Sequence, residues 1–147
     1  MANDNEIKDY EQEGYLSLWL CNTASIDGLN QYLEIDYGDD EEDLGIDDVY
    51  TVDFQMGHDF NITWYDEDYL EVSHRGNMKG WDLLEGHSYI ESIFPALRES
   101  CQDVMSDTYN SVIIIYDFKY DGSIKEVKNA RYGFFKYIGA FEYSINR

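Results

Sequence analysis

Leu16, Leu18 and Leu20 alternate with Ser17, Trp19 and Cys21, the period of two that marks a β-strand with two distinct faces. Ser25 then stands as an N-cap before Ile26, Leu29 and Leu33, apolar positions at helical spacing that predict a short helix over about residues 25–34. Phe54, Met56, Phe60, Ile62 and Trp64 return the chain to the core, and residues 69–73 read as a second strand after the turn Asp66-Glu67-Asp68. Ile90, Ile93, Phe94, Leu97, Cys101, Val104 and Met105 follow one helical face, with Ser88 and Glu91 at capping-box spacing. Pro95, the only proline, falls inside that pattern and predicts a kink or the start of a second segment. Residues 112–118 are apolar on both faces, as a central strand requires. Asp121-Gly122 is the signal of a tight hairpin into residues 124–127, and the aromatic run 132–143 supplies one or two more strands. The order predicts an α+β fold: a single mixed or antiparallel sheet with helices packed on one face. Residues 1–14 are expected as a flexible acidic segment and residues 15–147 as one domain.

Charge changes this picture more than composition does. The net charge is −21, and residues 1–74 hold 21 Asp and Glu against Lys8 alone, so that half carries −20. Residues 36–48 include eight acids in thirteen positions and cannot pack in a core, which predicts an exposed acidic loop. A field of this sign repels nucleic acid and anionic lipid and speeds encounter with cationic partners. Nucleic acid and membrane are therefore not expected as partners. The run Val112–Tyr116 is far shorter than the roughly 18 apolar residues of a membrane span. With no basic and apolar leader pattern in the first residues, the chain is expected to be cytoplasmic, with Cys21 and Cys101 as reduced, buried thiols.

Candidate chemistry is sparse. The acidic loop lacks the glycine of an EF-hand in the registers that begin at Asp36 and Asp39. His58, His74 and His87 have neither each other nor a cysteine at zinc-ligand spacing. His58-Asp59 offers a base and its orienter without a nucleophile, and no glycine-rich phosphate loop or Gly-x-Ser-x-Gly elbow is present. No catalytic residue, metal or cofactor is expected. Aromatic residues stand instead among the acids: Tyr32, Tyr37, Tyr50, Trp64, Tyr65 and Tyr69. Tyrosine and tryptophan dominate interface energetics, and carboxylates around them pair with Lys and Arg of a basic partner. The partner-binding set is expected to be Asp36, Tyr37, Asp39, Asp40, Glu41, Glu42, Asp43, Asp47, Asp48, Tyr65, Asp66, Glu67 and Asp68. Tyr37 and Tyr65 are expected exposed and Trp64 buried. The C-terminal aromatics Phe134, Phe135, Tyr137, Phe141 and Tyr143 are expected in the core rather than on a dimer face, and the chain as a monomer.

Five stretches together resemble the immunity protein 22 family of bacterial polymorphic toxin systems. They are Ser17-Leu18-Trp19, Tyr32-Leu33-Glu34-Ile35, residues 64–73 (WYDEDYLEVS), Leu83-Leu84-Glu85-Gly86 and residues 112–118 (VIIIYDF), and the similarity runs from about residue 15 to residue 120. The resemblance implies an antitoxin that binds and neutralises a cognate toxin domain and catalyses nothing. Many such toxins are nucleases, whose clefts are basic because they hold phosphates. An acidic adaptor or regulatory subunit for another basic intracellular protein is the alternative left open by charge alone.

Overall fold

The structure, a computed structural model, describes residues 10–35, 54–62 and 64–144. Strand β1 (Glu11–Thr23) is followed by helices α1 (Ile26–Leu33) and α2 (Gln55–Phe60), a 3₁₀ turn (Glu67–Tyr69) and strand β2 (Leu70–Lys79). Helix α3 (Gly80–Leu84), a second 3₁₀ turn (Ile90–Ile93), α4 (Phe94–Ser100) and α5 (Gln102–Met105) lead to β3 (Thr108–Phe118), β4 (Glu126–Asn129) and β5 (Gly133–Glu142). The strands form one sheet in the order β2-β3-β1-β5-β4, with every pairing antiparallel. The expected α+β class is present, and of the two expected kinds of sheet, mixed or antiparallel, it is the antiparallel one. β1 starts at Glu11, inside the segment set apart as residues 1–14, and Tyr10 already packs in the core.

The alternation on β1 is buried on both sides. Leu16, Leu18 and Leu20 face a core made with α3, α4, α5 and the turn at Ile90, whereas Trp19 and Cys21 face a second core made with α1 and α2. Helices therefore cover both faces of the sheet, which corrects the expectation of one helical face. The physical reason is visible in β3, where Val112 to Tyr116 are all buried: a strand apolar on both sides must be covered on both sides. Ser25 caps α1 as expected, its Oγ accepting from the Gly28 N–H at 3.0 Å.

The predicted helix over residues 90–105 is three short pieces. Pro95 lies in the first turn of α4, where its missing N–H costs nothing. Cys101, at φ −129° and ψ 21°, separates α4 from α5. Ser88 does not cap, because its hydroxyl donates to Glu71 instead. The Asp121-Gly122 pair also differs from expectation. β3 and β4 are separated in the sheet by β1 and β5, so the turn, closed by the Ser123 N–H on Asp121 Oδ1 at 2.9 Å, carries the chain across the sheet rather than forming a hairpin. The hairpin is β4–β5. There Asn129 Oδ1 accepts from the N–H groups of Arg131 and Tyr132, and Gly133, at φ +128°, is required because a Cβ would sit 2.3 Å from the Asn22 carbonyl oxygen. Of the two free cysteines, Cys21 is buried as expected and Cys101 is only half-buried. Among the described residues no helix is long and apolar enough to cross a membrane.

Candidate partner-binding surface

Asp36, Tyr37, Asp39, Asp40, Glu41, Glu42, Asp43, Asp47 and Asp48, and with them Tyr50, lie outside the described residues. The rest of the predicted set surrounds the entrance to β2. Asp66 caps the 3₁₀ turn, its Oδ1 accepting from the Asp68 N–H at 3.0 Å, and Glu67 and Asp68 are exposed. Tyr65 and Trp64 exchange their expected roles. Tyr65 is fully buried, its ring edge-on to Phe54 and its hydroxyl donating to the Leu33 carbonyl at 2.9 Å, while Trp64 is 37% exposed. Successive side chains of an extended segment point to opposite sides, so acidic neighbours in sequence do not bring a tyrosine to the surface. The hydroxyl also found a carbonyl inside, which removes the main cost of burying it.

Sixteen residues of sequence separate Glu71 from His87, yet β2 and the loop after α3 place them in contact. The carboxylate of Glu71 accepts from His87 Nδ1 at 2.9 Å, the Ser88 N–H at 3.2 Å, the Ser88 hydroxyl at 2.7 Å and the Tyr116 hydroxyl at 3.2 Å. Burial pushes the Glu71 carboxyl up, but the bonds from Ser88 and His87 outweigh it and hold the group below the usual carboxylate range. A carboxylate only accepts, so Nδ1 of a neutral His87 is the protonated nitrogen and Nε2 accepts from the Ser73 hydroxyl at 2.7 Å. Ser73, His87 and Glu71 thus stand in the order of an acyl-transfer triad. Ser73 lines neither of the clefts described below, and every oxygen of Glu71 is engaged by the chain itself. The arrangement works as a latch that ties the loop 85–89 to the edge strand. His58, by contrast, is exposed, and Asp59 is committed to Tyr32, Gln55 and Asn129.

Two clefts open beside the latch. One of about 270 Å³ is lined by Asp68, Tyr69, Glu71, Tyr89, Tyr116 and Tyr143 among others, and one of about 520 Å³ shares Tyr89 and adds His87, Glu91 and Ser144. Tyr69 is 45% and Tyr89 50% exposed. The tyrosines behind them are fixed: the Tyr116 hydroxyl also donates to the Ser88 carbonyl at 2.7 Å, and the Tyr143 hydroxyl donates to Asp117 Oδ1 at 2.7 Å. Tyr89 stacks on Tyr143 with ring centroids 5.8 Å apart. Its backbone is left-handed, at φ 57° and ψ 15°, a conformation that costs a bulky residue roughly 1–2 kcal/mol. Strain of this kind persists where surroundings over-determine it, and it clusters at functional positions. None of Glu71, His87, Tyr89 or Tyr143 was in the predicted set. Their only sequence signal is ordinary, since it is the fold that collects them from β2, the loop and the end of β5.

A family model described as Immunity protein 22 matches residues 16–144, from β1 to just past the end of β5. The chain belongs to the immunity protein 22 family. The match takes in β4 and β5, which the resemblance ending near residue 120 had left out. No curated protein and no solved structure matches the chain. Membership implies an antitoxin role in a toxin system, with a cognate toxin as the bound partner.

Proposed function

We propose that this immunity protein 22 family member is a cytoplasmic, monomeric antitoxin whose residues 15–147 act as one domain. It neutralises a basic polymorphic toxin domain, a nuclease, by binding it through an acidic surface. The observation that carries the reading is the family match over residues 16–144. The charge distribution supports its finer part: a half-chain of −20 complements the basic cleft a nuclease needs for phosphates, and such complementarity raises the encounter rate. Asp68, which follows Asp66 and Glu67 on the 3₁₀ turn, lines the smaller tyrosine cleft, where exposed aromatic rings can anchor what the charges attract.

Co-expression with a cognate toxin domain tests the role: growth should be restored. Association measured over a salt series tests the surface. Replacing Asp39, Asp40, Glu41, Glu42 and Asp43 together with Asn or Gln should slow association about tenfold or more at low salt and flatten its salt dependence. Failure to restore growth sinks the antitoxin role, while an unchanged rate and salt dependence sinks the acidic surface and leaves the role standing.

A further inference from the structure

The smaller cleft joins three properties. Two half-exposed tyrosines, Tyr69 and Tyr89, line it. Two carboxylates, Asp68 and Glu71, line it as well, and Glu91 lines the cleft that adjoins it through Tyr89. Among the described residues neither cleft is lined by a lysine or an arginine. Negative charge and aromatic faces in one recess complement a cation from outside.

The two carboxylates differ in what they can give. Glu71 is held by His87, Ser88 and Tyr116, and so contributes a fixed negative charge to the recess. Asp68 is exposed on the 3₁₀ turn. At about 270 Å³ the recess falls below the roughly 300–1,000 Å³ of small-molecule sites and is of the order that admits one long side chain. A planar guanidinium suits it better than an ammonium, because it can lie against a tyrosine ring while its N–H fork meets a carboxylate. Tyr116 and Tyr143 form a rigid rear wall through their hydrogen bonds, so the recess exists before anything enters it.

We infer that the recess between Asp68, Tyr69, Glu71 and Tyr89 is the receptor for an arginine side chain presented by the toxin. This rests on the antitoxin reading for the identity of the partner, but the chemistry of the recess is testable without it. Titration of the full chain with Nα-acetyl-arginine amide, followed by amide NMR shifts, should give saturable shifts at Asp68, Tyr69, Ser88 and Tyr89. The citrulline counterpart, equal in shape and uncharged, should bind several-fold more weakly, and Asp68→Asn and Tyr89→Ala should each abolish the saturable response. No saturable shift at these residues, equal binding of citrulline, or equal binding of the lysine counterpart overturns the inference. With the toxin itself, Tyr89→Ala should lower affinity at least tenfold with an unchanged unfolding midpoint. Wild-type affinity in both Tyr89→Ala and Asp68→Asn overturns the toxin contact. A wild-type chain that binds arginine amide but no toxin leaves the recess in place and removes the antitoxin reading.

Discussion

Trp19 and Leu18 are neighbours on β1, both fully buried, yet they enter cores of different make. On the Trp19 face the packing is aromatic: Tyr32 stacks on Phe135 at 3.9 Å, and Trp19 meets Phe60, Tyr120 and Tyr137. On the Leu18 face it is mostly aliphatic, with Leu83, Leu84, Ile93 and Leu97 from short helices. An aromatic core in which tyrosines take part must also place hydroxyls. Tyr32 donates to Asp59 and Tyr65 to the Leu33 carbonyl, and burial raises the pKa of Tyr10 to about 12. These bonds fix α1 and α2 by direction as well as by area. An aliphatic core demands only shape, so its cover can be broken into short pieces, and where that cover ends its tyrosines come to the surface and form the recess.

The largest test of this contrast is to empty each core at its centre. Trp19→Ala should cost about 3–5 kcal/mol and Leu18→Ala about 2–5 kcal/mol in urea unfolding. Equal dependence on both is the outcome expected of a sheet covered on both faces, and a Leu18→Ala variant as stable as wild type would show that the aliphatic side contributes little. A smaller effect is expected at the recess. The Glu71 carboxyl sits lower in the folded chain than in the unfolded one, so it adds stability above the ordinary carboxylate pKa near 4.3 that is lost as pH falls through its folded value. Glu71→Gln should therefore be less stable at neutral pH by about 1–2 kcal/mol, with the difference shrinking in acid. A loss independent of pH would mean the latch depends on shape and not on charge. The smallest pair sharpens the comparison at the entrance to β2. Tyr65→Ala should cost about 1 kcal/mol more than Trp64→Ala, because Tyr65 is fully buried with its hydroxyl bonded to Leu33 whereas Trp64 is 37% exposed. The reverse ranking would restore the roles read from the sequence.

Much of the fold was legible in local pattern. β1, α1 with its Ser25 cap, β2 from its start near residue 69, β3 and the C-terminal strands all lie where periodicity puts them, because each is specified by spacing within one segment. The segment over residues 90–105 was legible as helical but not as broken. The position of Tyr89 and the commitment of Ser88 to Glu71 come from β2, which the local window does not contain. The recess was hardly legible at all. Asp68 was expected at an interface on charge grounds, but its companions Glu71, Tyr89, Tyr116 and Tyr143 are spread over 73 positions of the chain.

By itself the sequence determined the element types, the α+β class, the concentration of negative charge before residue 75 and the family, since each is a property of composition or of residues close together along the chain. Only the tertiary structure decided that helices cover both faces, that Tyr65 goes in while Trp64 stays out, and that a latch and a tyrosine recess form beside β2. Those depend on which partners long-range pairing brings within reach. A side chain's exposure is settled by whether a cavity and a hydrogen-bond partner await it across the sheet, and that information belongs to no single stretch of sequence.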